Sequence, residues 1–375
     1  MKKRILLDFG VPFRFTKTGI YNYNMALKKY LANYYNEFDI FYLDDVYPFS
    51  NVYGFIGKLI YVLWINFFLP FYVKKYQIDL VHFTNYLTPF TYLPTKIVVT
   101  IQDLRSMSND VRERKLSSLY RFYRRIIVLN SLIKAYKVIA ISQYTKTDLL
   151  KCFGNKYIDK IEVIHMGVNP INKINNYNVE KSYPKLNNLR DSGYIIMPGP
   201  LTFRKNHIDA VEMFCKHKRF FLNRNMRLVI IGDGPMRELL HSRIKQDSLE
   251  ENILMTGYIS EDELDYLYRY ASIGLFLSSY EGFGLPLLEM LLRDIPVIAS
   301  DTSSIKEASG NIAYYVKVHD IEGIFNYIQY ILDVKNKVEV SARKRLGVEF
   351  ALQHTWQVTV SKTANLYKSC IGNRE

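Results

Sequence analysis

Residues Ser278 to Asp301 read SSYEGFGLPLLEMLLRDIPVIASD. An apolar run, residues 273–277, ends just before this stretch, and the loop Tyr280-Glu281-Gly282-Phe283-Gly284 follows. Pro286 then stands in the first turn of an expected helix, where its missing N–H costs nothing, and a second apolar run opens at Val297. The order is strand, glycine loop, helix, strand, which is the unit of a doubly wound parallel sheet. Two glycines let backbone approach a ligand, and the N–H groups at the helix start favour an anion. Glu281 lies in the loop and Glu289 one turn into the helix, so both carboxylates can face one bound molecule. Carboxylates beside an anion site are suited to gripping hydroxyls, and the ligand this suggests is a phosphate ester of a sugar. The plainer reading is a tight turn followed by an acid that the helix dipole favours.

A second loop strengthens the functional reading. Gly199-Pro200-Leu201-Thr202-Phe203-Arg204-Lys205-Asn206 follows an expected strand over 194–197 and precedes an expected helix, so Arg204 and Lys205 are offered at the carboxyl end of another strand. Around these loops, short Ile- and Val-rich runs alternate with amphipathic stretches. Strands are expected at 5–9, 39–43, 80–83, 97–101, 138–141 and 162–164, then at 194–197, 228–231, 253–255, 273–277, 297–299 and 313–316. Six strands twice over predict an α/β protein with two doubly wound, Rossmann-like domains, residues 1–175 and 190–354. The polar, Asn-rich stretch from Asn169 to Asp191 is expected to connect them, with the active site in the cleft between the halves. A last helix, within 355–375, repeats Trp356, Val360, Ala364 and Tyr367 at helical spacing and is expected to pack back on the first domain.

The 375 residues exceed what one core usually organises. At 49% hydrophobic and 23% charged, without low-complexity tracts, the composition argues against disorder and repeat arrays. Cys152, Cys215 and Cys370 have no metal-ligand spacing and suit a reducing compartment. The apolar run at residues 5–7 is too short for a signal-peptide core. The most apolar stretch, residues 59–73, holds Asn66 and Pro70 and falls short of the ~20 residues a spanning helix needs. The expectation is a cytoplasmic protein. Formal charge is +14, but residues 1–190 carry 28 Lys and Arg against 13 Asp and Glu, whereas residues 191–375 carry 22 against 23.

The spacing of Glu281 and Glu289 in EGFGLPLLE, with Arg204-Lys205-Asn206 upstream, resembles the retaining glycosyltransferases of the GT-B fold, the group 1 family, also called family four. Further stretches match in order: Thr18-Gly19-Ile20-Tyr21, Leu63-Trp64 to Pro70, Asp79-Leu80-Val81-His82, 138–142, 163–169 and 231–235. The resemblance implies an N-terminal acceptor domain and a C-terminal domain for a nucleotide-diphosphate sugar. Arg204 and Lys205 would then hold the donor diphosphate, Glu281 the hexose hydroxyls and Glu289 the ribose. Gly282, Phe283, Gly284 and Leu285 would offer backbone contacts, with Tyr258 near the base. On the acceptor side Gly19, His82, Gln102 and Asp103 are candidates. No Asp-x-Asp or His/Cys cluster is found, so neither metal nor cofactor is expected. The acceptor implied is a lipid-diphosphate-linked saccharide of a bacterial surface polysaccharide such as O-antigen or capsule, with GDP-mannose as a first guess for the donor.

Two positions depart from the family pattern. Gln102 stands where His is common before Asp103; it can hydrogen-bond a hydroxyl but cannot carry a proton. Gly199-Pro200 replaces a frequent Gly-Arg. Three rival readings remain: a non-catalytic family member acting as a binding or assembly partner, a sugar-nucleotide epimerase on the same fold, and a nucleic-acid binder. The last lacks any helix-turn-helix, zinc or RNP signature. Much of the excess charge sits between Arg105 and Lys137, where Arg112, Arg114, Lys115, Arg121, Arg124, Arg125 and Lys134 interleave with aromatic residues; it reads either as a solvated helix face or as a basic amphipathic helix that brings the first domain to an anionic membrane.

Overall fold

The structure, a computed structural model, describes residues 2–10, 19–49, 52, 54–107, 118–169, 189 and 193–372. The expected connection at 169–191 therefore lies outside the described residues except for Asn169 and Leu189. Thr18, Arg112, Arg114 and Lys115 lie outside them too. The chain divides into two compact units, Met1–Gly167 with His354–Glu375, and Val168–Gln353.

The first unit runs β1 (Lys3–Asp8), α1 (Gly19–Tyr30), β2 (Phe38–Tyr42), α2 (Gly54–Phe67), α3 (Leu69–Lys75), β3 (Leu80–Phe83), β4 (Lys96–Ile101), α4 (Ser118–Lys134), β5 (Lys137–Ala140), α5 (Gln143–Phe153) and β6 (Ile161–Val163). Its sheet is parallel throughout, in the order β2-β1-β3-β4-β5-β6. Ile5, Leu6, Leu7, Val98 and Val99 are fully buried, as strands covered on both faces require.

The second unit runs β7 (Tyr194–Pro198), α6 (His207–Lys216), α7 (Lys218–Leu222), β8 (Arg227–Ile231), α8 (Arg237–Gln246), β9 (Ile253–Gly257), α9 (Glu261–Tyr270), β10 (Ile273–Phe276), α10 (Leu285–Leu292), β11 (Val297–Ser300), α11 (Ile305–Ala308), β12 (Tyr314–Val316), α12 (Ile321–Leu332) and α13 (Lys337–Leu352). The sheet order is β12-β11-β10-β7-β8-β9, again parallel. Strand order reverses between β7 and β10. Every strand expected from the sequence is present, with ends moved by a residue or two.

The final helix, α14 (Trp356–Ile371), belongs to the first unit and packs on α1. Thr355 caps it by accepting from the N–H of Val358 at 3.4 Å. Gly167 is fixed by this docking, because a Cβ there would come within 2.3 Å of the Thr355 backbone carbon. Tyr367 reaches Nδ1 of His82 at 2.5 Å; Nε2 of His82 meets Thr100 Oγ1 at 2.8 Å, and Tyr23 joins the same hydroxyl at 3.0 Å. Helix and sheet are thus tied through a polar network inside the core. None of the three cysteines is in a disulfide. Among the described residues no single helix is long and apolar enough to cross a membrane; α2 and α3 meet at a bend of 45°.

Candidate functional site

In doubly wound sheets ligands sit beyond the carboxyl ends of the strands where the order reverses. In the second unit that point lies between β7 and β10, and the loops leaving these strands carry the residues singled out in the sequence. β7 leads into the glycine loop and Arg204-Lys205; β10 leads into Ser278 to Gly284. Asn206, in the left-handed region at φ 54°, donates its side-chain amide to the Leu277 carbonyl at 2.8 Å. The N–H of Ser279 is bonded in turn to the Arg204 carbonyl at 2.9 Å. The two loops are stitched together by backbone before any charge is considered.

The charges then converge. Lys205 is buried, its ammonium 2.7 Å from Glu281 Oε1 and 4.7 Å from the centre of the Phe276 ring. Arg204 donates to the same carboxylate oxygen and, at 2.7 Å, to the Tyr280 carbonyl. Burial alone would raise the Glu281 carboxyl, but Lys205 and Arg204 beside it outweigh that and hold it down at about 2. Arg204 Nε, Thr202 Oγ1 and both ring nitrogens of His207 are buried with no partner among the described residues. Burial, then the nearby Lys205 charge, lowers His207 to about 3, so its ring is neutral. Unsatisfied polar atoms gathered on one loop mark a place for a polar ligand.

The loop after β10 is held from the neighbouring strand. The Glu281 N–H donates to Ser303 Oγ at 2.9 Å, and Ser304 Oγ donates to the carbonyls of Glu281 at 2.9 Å and Phe283 at 3.0 Å. Gly282, Phe283, Gly284 and Leu285 are all buried. Gly284 has φ +122°, and a Cβ would sit 3.3 Å from the Phe276 ring. Pro286 occupies the first turn of α10, which opens without a side-chain cap. One turn on, Glu289 accepts from Tyr268 at 3.1 Å. Burial raises its carboxyl, against the opposing pull of Arg293 and the Tyr268 hydrogen bond. Arg293 is itself anchored to Asp265 at 2.6 Å.

The other candidates fall elsewhere. Tyr258 follows β9 and is exposed. In the first unit Gly19 opens α1, Asp103 follows β4 and accepts from the Arg105 N–H at 3.1 Å, and Gln102 is buried with Nε2 unpartnered among the described residues. His82 is a correction: its ring is fully buried, both nitrogens are engaged by Tyr367 and Thr100, and burial lowers it to about 3. It is built into the core and presents no nitrogen to an acceptor. The residues not singled out beforehand are Thr202, His207, Tyr268, Ser303 and Ser304. The serine pair left only the signal of small polar residues after an expected strand at 297–299; that this strand lies beside β10 is a fact of the sheet order. Among the described residues no group of three or more His, Cys, Asp or Glu side chains could hold a metal ion.

Residues 178–347 match the family described as glycosyl transferases group 1, and residues 19–171 match glycosyltransferase family 4. A glycosyltransferase of Rickettsia africae superposes with a TM-score of 0.73 at 21% identity, covering 99% of both chains. An uncharacterized glycosyltransferase of Methanocaldococcus jannaschii is 26% identical over 68% of this chain and 63% of its own length. O-antigen chain mannosyltransferase B of Escherichia coli is 25% identical over 64% of this chain and 62% of its own length. The chain thus spans less than two thirds of these curated relatives. Two parallel six-stranded sheets with such neighbours define the GT-B fold. The chain belongs to the group 1 glycosyltransferases, family four.

Proposed function

We propose that the protein is a retaining hexosyltransferase that takes its sugar from a nucleotide diphosphate donor, with GDP-mannose the first choice, and adds it to a lipid-diphosphate-linked saccharide in bacterial surface polysaccharide assembly. The observation that carries this reading is the ion-paired cluster of Arg204, buried Lys205 and Glu281 at the strand-order reversal, with unsatisfied polar atoms on Thr202, Arg204 and His207. Arg204 and Lys205 take the diphosphate, and their charge stabilises the leaving group as the sugar–phosphate bond breaks. Glu281, kept ionised, aligns both cations and turns its second oxygen to hexose hydroxyls. Glu289 takes the ribose, the amides of residues 282–285 meet sugar and phosphate, and Tyr258 lies near the base. The departing phosphate oxygen receives the acceptor's proton, so no protein base is needed where Gln102 stands, and Gln102 and Asp103 contact the acceptor. Fixed cations and amides aimed at developing charge form the electrostatic kind of catalysis, in which one lost donor costs ~10²–10³ in rate.

The mannose assignment rests on the Escherichia coli relative and the lipid acceptor on the family's implied substrates. Peripheral placement on the inner face of the cytoplasmic membrane follows from that acceptor. Purified protein incubated with UDP-, GDP- and dTDP-sugars and a lipid-diphosphate-linked saccharide is expected to transfer hexose from one donor, with and without chelator. Failure to consume any donor would refute the transferase reading.

A further inference from the structure

The helices after β2 are apolar on the side away from the core as well as on the side facing it. On α2, Gly57, Tyr61, Trp64 and Ile65 are buried. Phe55, at 82% exposure, Ile56, Leu59, Leu63 and Phe67 recur at three- and four-residue steps on the outer side, and Phe68 and Phe71, the latter 75% exposed, continue the strip. A helix apolar all round belongs inside something. At ~200 Å² for each fully exposed large side chain, these seven present on the order of 800 Å², beyond the ~300–600 Å² of a typical monomer's largest patch. The strip extends to the loop after β3. Asn66 accepts from the N–H groups of Phe90 at 2.7 Å and Thr91 at 3.2 Å, which sets exposed Phe90 and Tyr92 beside it.

We infer that this face of α2 and α3 lies in the acyl boundary of a lipid leaflet and anchors the first unit there without crossing it. By length and composition the bent pair matches a broken span, but Tyr61, Trp64, Ile65, Leu69 and Val73 on its inner faces belong to the unit's own core, which places the pair on the leaflet and not across it. Residues 54–75 contain no Asp or Glu, while Lys58, Lys74 and Lys75 are exposed along them, the charge that suits phosphate headgroups. A second copy docked here about a two-fold axis would bring two patches together that both carry lysines and no carboxylate. The anchor differs from the basic α4 expected from the sequence. There the Arg124 guanidinium lies 3.9 Å from the centre of the Tyr86 ring, Arg125 donates to the Cys152 carbonyl at 2.9 Å and Lys134 to the Thr91 carbonyl at 3.3 Å. These three cations are engaged within the protein, and the lipid contact becomes chiefly apolar.

The purpose of such an anchor rests on the lipid-linked acceptor proposed above, but its test uses neither donor nor acceptor, so the two readings fail separately. Flotation with phosphatidylcholine vesicles in about 0.5 M NaCl, where screening removes most surface electrostatics, is expected to retain the wild type. A variant carrying Phe55→Ser, Phe67→Ser and Phe71→Ser, and more weakly Phe71→Ser alone, is expected to bind about tenfold less or worse with unchanged near-UV circular dichroism. Val334→Ser with Val338→Ser, on exposed positions of the second unit, is expected to bind as wild type. Wild-type binding that needs anionic lipid and vanishes in salt would overturn the inference. So would undiminished binding of the single and triple variants, or a sedimenting dimer that the triple variant converts to monomer while flotation is unchanged.

Discussion

At Glu281, burial and two cations act in opposite directions on one carboxyl, and the cations prevail. Its value in the fold, about 2 against an ordinary 4.5, means that its contribution to stability is complete above pH ~4.5 and is lost as pH falls through 2. Glu281→Gln, which leaves buried Lys205 and half-buried Arg204 uncompensated, should therefore unfold in less urea than wild type at pH 7. The deficit, on the order of 3 kcal/mol, should narrow as the pH approaches 2. Transfer by this variant and by Lys205→Ala should drop ~10²-fold or more. The buried neutral histidines run the same way. His82 and His207 are both lowered to about 3, so the unfolded chain binds their protons first and stability falls below pH ~6.5. From pH 7 to 5 each should cost about 2 kcal/mol, and His207→Gln should remove its share of that slope in urea titrations at the two pH values.

Among the elements, the strands were legible because both faces of a parallel sheet are covered, which writes them as short Ile and Val runs. The glycine loop and Arg204-Lys205 were legible for a different reason: only particular residue types tolerate a ligand approaching a strand end. What the sequence could not carry was adjacency. Ser303 and Ser304 matter because β11 lies beside β10, Tyr268 because α9 turns it toward Glu289, and His82 is closed off because α14 supplies Tyr367. The cations of α4 read as a membrane-facing surface from spacing alone; three bend back onto the protein. The tie to α14 is testable. Tyr367→Phe should cost about 1–3 kcal/mol by leaving Nδ1 of His82 unpaired in the core. Gly167→Ala should cost more than that, because Thr355 and Trp356 backbone must move. Urea unfolding of both variants checks the order.

For the molecule as a whole, the charge asymmetry separates two kinds of surface. The half with Arg204, Lys205, Glu281 and Glu289 is almost neutral, so its cations act by position within a buried cluster and not by raising the general field. Its binding should accordingly resist moderate salt, since a partly buried pair is screened much less than an exposed one. The half with 28 Lys and Arg against 13 Asp and Glu carries the exposed apolar strip of α2 and α3. Removing that strip should lower transfer to a lipid-embedded acceptor while leaving nucleotide binding intact.

The central claim is that the loops after β7 and β10 hold a nucleoside diphosphate. Calorimetric titration of GDP, UDP and dTDP into wild type, Lys205→Ala and the strip variant tests it most directly. The account predicts that one nucleotide binds wild type and the strip variant alike and binds Lys205→Ala about tenfold or more weakly, as the loss of a buried charge-assisted contact requires. Equal affinity of wild type and Lys205→Ala, or no heat with any of the three nucleotides, would contradict it.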